Sequence, residues 1–218
     1  MKILLAAPLA AAAALAAVPA GAVPITVQSY SVTSDTANLL GDGLVINTTN
    51  IMAQSFNVGN LAVGQSASFD LFEIYTNEAI LNADDLLEGE IEFTLQLSQP
   101  LPNSSPSTIG GITFGVLTGF FNAGVLSWEN GGIFDIAYGP NSDGIIRVDL
   151  NDATFNECTT TSIFNFCGQQ LDEGAIFGEI VDVTFTHLQE ASVPAPGALG
   201  LLGLGLLGAA SMRRRRAA

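Results

Sequence analysis

Basic side chains are nearly absent from the middle of this 218-residue sequence. Against 21 Asp and Glu residues it has only six Lys and Arg residues, and the formal net charge is −15. Five of the six lie near the two ends, so Arg147 is the only basic residue of the central region. A surface this acidic repels a phosphate backbone, which excludes nucleic acid as a partner and favours solubility outside the cell.

Histidine is limited to His187, and no Gly-x-Ser-x-Gly nucleophile motif occurs. Any Ser-His-Asp or Cys-His scheme would therefore need His187. This residue ends a predicted strand on the same face as Val181 and Val183, which favours a partly buried structural position over a catalytic base. The lack of His and Cys clusters also disfavours zinc. We predict that the protein is not an enzyme and needs no cofactor.

One pair of carboxylates has the spacing for glycoside chemistry. Glu90 and Glu92 are two positions apart on a predicted strand, so both project from one face, about 6–7 Å apart. That distance lies between the retaining and inverting arrangements of glycosidases. The segment superficially resembles the catalytic strand of jelly-roll glucanases, but Thr94 and Leu95 follow where those enzymes need a further acid. We expect a solvated strand face instead.

Calcium is the one metal that the composition favours, because its ligands are oxygens. Two acidic clusters are candidates for a structural calcium site. The first comprises Asp84, Asp85 and Glu88, and the second comprises Asn141, Asp143, Asp149, Asn151 and Asp152. Neither fits an EF-hand loop, because the closing glutamate is missing at the required offset.

Cysteine occurs only twice, at Cys158 and Cys167. An even number of cysteines in an exported chain predicts a disulfide. The bond would close a small loop and contribute roughly 2–3 kcal/mol to stability in the chain-entropy model.

Residues 1–22 have the three parts of a secretory signal peptide. Lys2 supplies a positive charge, residues 3–17 form an alanine-rich apolar run, and Ala20 and Ala22 provide small side chains at positions −3 and −1. We expect signal peptidase to cut after Ala22. The apolar run is short for a retained membrane helix. Residues 23–190 would then form the exported domain.

A second apolar segment lies near the C-terminus. Residues 197–212 carry no charge, and the basic cluster Arg213, Arg214, Arg215 and Arg216 follows. As a helix this segment would span about 24 Å, and snorkelling arginine side chains can extend it toward the roughly 30 Å of a hydrocarbon core. The positive-inside rule places the arginines in the cytoplasm and the preceding domain outside. Both ends of the sequence therefore predict the same topology.

The tail, residues 191–218, resembles the PEP-CTERM sorting signal. Its motif reads Val193, Pro194, Ala195 and Pro196, and a Gly- and Leu-rich segment and the arginine cluster follow. Ala195 stands where that family usually has glutamate. A sortase motif is absent, and the arginine cluster is unlike a GPI signal.

The resemblance implies an exosortase as partner, a membrane cysteine protease that processes such proteins near the Pro-Glu-Pro motif. It also implies a Gram-negative bacterium, often one that makes an exopolysaccharide matrix. The expected location is the cell envelope, outer surface or extracellular matrix, with a transient or stable inner-membrane anchor at the C-terminus.

The central domain is predicted to be all-β, as a single antiparallel sandwich or jelly-roll. Alternating apolar and polar residues predict strands over residues 25–32, 66–75, 90–97, 111–121, 132–138, 145–150 and 176–188. Gly- and Asn-rich turns separate them. Residues 77–87 fit either a helix or a loop.

These features favour a non-enzymatic surface or matrix protein with a structural or adhesive role. The alternative is a carbohydrate-binding module that acts on exopolysaccharide through calcium or through aromatic residues. Trp128, Phe134 and Tyr138 are the aromatic candidates.

Overall fold

The computed structural model describes residues 21–35, 43–102, 106–118, 121–159, 171–172 and 174–192. Eleven strands lie within them: β1 (Val23–Asp35), β2 (Ile46–Asn50), β3 (Phe56–Leu61), β4 (Ser66–Thr76), β5 (Gly89–Gln99), β6 (Ser107–Leu117), β7 (Phe121–Trp128), β8 (Ile133–Tyr138), β9 (Gly144–Leu150), β10 (Ala153–Thr159) and β11 (Glu179–Gln189). Short 3-10 turns occupy Glu129–Gly132 and Ala175–Phe177. No helix in this part of the chain is long and apolar enough to cross a membrane.

The strands form two antiparallel sheets. The six-stranded sheet has the order β10-β7-β6-β5-β1-β3, and the five-stranded sheet has the order β2-β4-β11-β9-β8. The all-β, antiparallel prediction is confirmed. The predicted C-terminal helix and residues 1–20 of the predicted signal peptide lie outside the described residues.

One hydrophobic core fills the space between the sheets. Four phenylalanines are fully buried in it, namely Phe72, Phe93, Phe155 and Phe185. On β5 and β11 every second residue faces this core, as the alternation in the sequence predicts. Burying one such ring contributes about 1.5–3 kcal/mol, so the inner faces are the main source of stability.

A bulge in β4 explains why the alternation in its sequence is incomplete. Leu71 and Phe72 are adjacent, yet both are fully buried. The register with β11 shifts here, because Val181 lies opposite Phe72 while Asp182 lies opposite Asp70. One extra residue on β4 therefore resets which positions face inward.

The sequence patterns missed four strands, and three of these lie at sheet edges. β2, β3 and β10 each border one neighbour, and β2 is polar throughout except for its first residue. The fourth, β7, begins at Phe121 and pairs antiparallel with β6, whereas the sequence suggested one strand over 111–121. A strand with one covered face and one neighbour needs few apolar residues, so its pattern is weak.

The segment between β4 and β5 is a loop with a turn at residues 83–86 and contains no helix. It is nevertheless packed, since Leu81 and Asp85 are fully buried. The backbone carbonyl of Asp85 accepts the N–H of Gly115 at 2.6 Å, which continues the edge of β6 beyond the start of β5. The loop therefore closes this end of the sandwich.

Asn156 on β10 fastens the same end. It is fully buried and adopts a left-handed φ of 51°, which asparagine tolerates better than most residues. Its Oδ1 accepts the N–H of Thr76 at 2.7 Å, and its Nδ2 donates to the carbonyls of Thr76 at 3.2 Å and Gly174 at 3.1 Å. The Asp172 carbonyl also accepts from Nδ2. One side chain thus joins β4, β10 and the segment before β11.

We predict that Asn156→Ala lowers the free energy of unfolding by about 2–4 kcal/mol, because several buried backbone groups lose their partners. Urea unfolding followed by Trp128 fluorescence measures this change. Asn60→Ala, at an exposed position of β3, is the control and should cost less than about 0.5 kcal/mol. Equal losses in the two variants would contradict the role of Asn156.

Candidate functional site at the processing end

The two junctions where processing is predicted lie at the same end of the sandwich. β1 begins at Val23, directly after the predicted signal-peptide cleavage site, and Gly21 and Ala22 are exposed. The N–H of Gly21 lies 3.3 Å from Oε1 of Glu190, which immediately follows β11. We call this the processing end. Its geometry brings residues 169 positions apart in sequence into contact.

The turn between β8 and β9 holds the start of the C-terminal tail. The N–H of Ser192 donates to both carboxylate oxygens of Asp143 at 3.1 Å, and Nδ2 of Asn141 donates to Oγ of Ser192 at 2.9 Å. The hydrogen bond from the Ser192 side chain is the largest of the effects that lower the pKa of Asp143. We call Asn141 and Asp143, which hold Ser192, the tail clamp.

Gly139 gives the tail room beside the clamp. Its φ is +85°, and an added Cβ would lie only 2.4 Å from Cβ of Ala191. A larger residue would therefore force Ala191 away from the turn. The turn residue thus fits the tail closely, and no local sequence pattern predicts this contact.

His187 lies beneath this end and is fully buried, more completely than the sequence predicted. Its Nδ1 is 2.9 Å from the Leu61 carbonyl, and its Nε2 is 2.7 Å from the Tyr138 hydroxyl. A carbonyl only accepts, so Nδ1 donates to Leu61. Nε2 lies between the Tyr138 hydroxyl and the Gln189 carbonyl, which is 3.0 Å away. Burial is the largest cause of the raised pKa of Tyr138. These bonds give His187 a structural role and connect β3, β8 and β11.

An open groove of about 450 Å³ crosses the outer face of the six-stranded sheet. Glu92 lies in its centre, paired with Thr33 on β1 and Gly110 on β6. The carboxylate of Glu129 covers Gly110, since a Cβ added there would lie 3.1 Å from its Cδ. The sequence drew attention to Glu92 but missed Glu129, because only strand pairing brings it near.

Glu90 also lines this groove, opposite Asp35 on β1. Glu90 and Glu92 are both exposed, so the predicted solvated strand face is confirmed. Thr94 donates its hydroxyl to Oε1 of Glu92 at 3.4 Å. The groove therefore presents carboxylates that accept hydrogen bonds from a hydroxyl-rich ligand.

The aromatic residues suggested for sugar binding do not form an exposed surface. Trp128 and Tyr138 are 3% and 4% exposed and belong to the core. Phe134 is half-buried and packs against the same core. The indole N–H of Trp128 donates to the Asn151 carbonyl at 3.1 Å. The prediction of an aromatic stacking site built from these residues is therefore wrong, because their rings pack in or against the core.

The two acidic clusters named for calcium serve local structure. Oδ1 of Asp152 accepts the backbone N–H of Trp128 at 2.8 Å, and Oδ1 of Asn151 accepts the backbone N–H of Asp182. Asp143 holds the tail. Within the described residues, no three His, Cys, Asp or Glu side chains converge in a way that could hold a metal ion.

Two acidic residues, the buried Asp85 and the half-buried Glu78, lie at the end opposite the processing end. The pKa of Glu78 is raised to about 7, first by burial and then by the nearby charges of Asp85 and Asp84, while a hydrogen bond with the Val45 backbone lowers it. Burial also raises the pKa of Asp85, whose Oδ2 accepts the N–H of Asn82 at 2.7 Å. Oε2 of Glu78 and Oδ1 of Asp85 are buried without a hydrogen-bond partner. Both acids therefore keep their protons to higher pH in the folded protein than in the unfolded chain.

Several predicted site residues lie outside the described residues. They are Ala20, Cys167, the motif Val193, Pro194, Ala195 and Pro196, and the cluster Arg213, Arg214, Arg215 and Arg216. Cys158 lies on β10, and the described residues contain no free cysteine. The pairing of Cys158 with Cys167 stays a prediction.

The described chain is an all-β sandwich. The start of β1 and the end of β11 lie at the same end of it, where Ser192 is hydrogen-bonded to Asp143 in the turn between β8 and β9. Residues 192–216 match the family model of the PEP-CTERM protein-sorting motif. The chain is thus an exported protein of the exosortase-sorted kind, processed at the membrane and directed to the cell envelope. No curated protein and no solved structure matches the chain.

The match begins at Ser192, the residue held by the tail clamp, and does not extend into the sandwich. The matched segment therefore starts three residues after the end of β11. Asn141 of the clamp and Ser192 are 51 positions apart, so sequence inspection could not have paired them.

The raised pKa of Glu78 predicts that stability falls as pH rises. Between its ordinary pKa of 4.5 and about 7, the folded protein keeps a proton that the unfolded chain has lost. Stability is therefore highest below the ordinary pKa and decreases as pH approaches the folded value. Asp85 acts in the same direction.

Replacing Glu78 by Gln should flatten this dependence and raise the melting temperature at about pH 8 by roughly 2–4 °C. Thermal unfolding across about pH 5 to pH 8 tests it. Glu88→Gln, at an exposed position of the same loop, is the matched control. A pH dependence that is as steep in Glu78→Gln as in the unaltered protein would refute the assignment.

Proposed function

We propose that this protein is a non-enzymatic structural or adhesive component of the bacterial cell surface or extracellular matrix. The observation that carries the proposal is the position of both processing junctions at one end, with the match to the sorting motif beginning at the clamped Ser192. A domain attached at one end leaves the rest of its surface exposed to neighbouring molecules.

The length of β1 supports display of the outer face away from the attachment point. β1 runs from the processing end at Val23 to Asp35 beside the groove. Twelve residue steps along a strand cover about 40 Å. The acidic groove thus lies well away from the membrane while the tail is anchored, whether the anchor is transient or stable.

The surface charge suits a role outside the cell. Arg147, the only basic side chain among the described residues, is paired with Asp135 on the outer face of the five-stranded sheet at 2.9 Å and 3.1 Å. The remaining charged groups there are acidic, which keeps such a protein hydrated and soluble at high density.

A second candidate function is binding of exopolysaccharide in the acidic groove. Glu90, Glu92 and Glu129 line it together with the hydroxyl-bearing Thr33 and Ser34. Carboxylates and hydroxyls form hydrogen bonds with sugar hydroxyls, and the volume of about 450 Å³ fits a short oligosaccharide. This site replaces the aromatic one, whose residues are buried.

Sorting is tested by expressing the full chain in a Gram-negative host with and without its exosortase. We expect a shorter, surface-associated form in the first host and a longer, membrane-associated form in the second. Replacing Arg213 to Arg216 by glutamine should also give the longer form, because the tail loses the positive charges that orient it in the membrane for processing. Intact mass and fractionation measure both results. Equal masses in the two hosts would contradict exosortase-dependent processing.

The two candidate roles separate by ligand binding. A glycan array with the processed protein should give no signal for a purely structural module. Reproducible binding that is lost in Glu90→Gln or Glu92→Gln, and kept in the control Glu157→Gln on β10, would support the groove instead. Measured hydrolysis abolished by the first two changes would show that the protein is an enzyme.

A further inference from the structure

We propose that Asn141 and Asp143 are positioning residues for tail processing: they hold Ser192 against the sandwich and restrict access of the exosortase to the sorting motif. This inference rests on exosortase processing of the tail. It goes further, because it gives the folded domain control over the rate at which its own tail is processed.

The first step in the argument is distance. One residue, Val193, separates the clamped Ser192 from Pro194 of the motif. An extended chain advances about 3.3 Å per residue, so the motif begins within about 7 Å of the clamp. The folded sandwich, to which the clamp belongs, is therefore within about 7 Å of Pro194.

The second step concerns the protease. An extended peptide is recognised over several consecutive residues, with main-chain hydrogen bonds and pockets for alternate side chains. The residues just before the motif are Ala191 and Ser192, whose packing and hydrogen bonds are already used by the turn at residues 139–143. The protease can therefore bind residues on that side of the motif only after Ser192 has left the clamp.

The third step concerns the strength of the clamp. Ser192 is engaged at its backbone N–H by Asp143 and at its hydroxyl by Asn141, and Ala191 packs beside Gly139. All three hydrogen bonds are solvent-exposed, where such bonds contribute modestly and open readily. The clamp thus slows processing without blocking it, and weakening it should raise the population of the accessible tail.

The experiment measures processing of the full chain by pulse-chase in a host that contains the exosortase. The double variant Asn141→Ala/Asp143→Ala should be processed about three- to tenfold faster than the unaltered chain, because neither side chain can then bond to Ser192. Asp149→Asn, an exposed residue of β9 outside the clamp, is the control and should be processed at the unaltered rate. Unchanged or slower processing of the double variant would overturn the proposal.

A spacer separates positioning from a general effect on folding. A Gly-Ser insertion of about six residues between Ser192 and Val193 moves the motif away from the domain. With the spacer, the chain with an intact clamp and the double variant should be processed at the same rapid rate. A persisting difference would show that the substitutions act through something other than motif access, which would refute the clamp.

A direct measurement completes the test. In a host without exosortase, amide hydrogen exchange at Ser192 should be faster in the double variant, while exchange in β5 and β11 stays unchanged. If the unaltered chain is not processed in any host, the sorting function itself fails. If it is processed but the clamp variants do not change the rate, only the present inference fails.

Discussion

Each of the two sheets has an apolar face that must be removed from water, and every other feature of the molecule depends on pressing these faces together. The buried phenylalanines and aliphatic residues of β4, β5, β10 and β11 supply most of the stabilising area. This packing fixes the register of the strands, since a slip of one residue would turn a whole row of side chains outward. It also leaves polar groups only the outer faces and the two ends.

Different side chains form hydrogen bonds with buried backbone groups at the two ends of the sandwich. At one end Asn156 forms hydrogen bonds with backbone groups of β4 and of the segment before β11, at the same end as the half-buried Glu78 and the buried Asp85. At the processing end His187 and Tyr138 do the same beneath the tail clamp. Buried polar groups need partners wherever the sheets stop, so both ends are specified in detail. The processing end is also the one from which both predicted membrane segments leave.

The acidity of the surface follows from location. An exported domain with Arg147 as its only described cation relies on solvation for its carboxylates, and most of the described ones are exposed. Where two acids face each other, the cost is visible: Asp182 lies opposite Asp70, and its pKa is raised first by burial and then by this neighbour. The groove around Glu92 gathers several such groups on a surface that faces away from the attachment point.

The sequence by itself determined the class of fold, the same-face arrangement of Glu90 and Glu92, the inward position of His187 and the sorting motif in the tail. These are local properties, set by the period of two along a strand or by the order of residues in a short segment. Only the tertiary structure decided that Trp128 and Tyr138 are core residues, that Glu129 joins the groove and that Asp143 holds Ser192. Such contacts join residues distant in sequence, and they depend on strand order and register, which the packing of the two sheets selects.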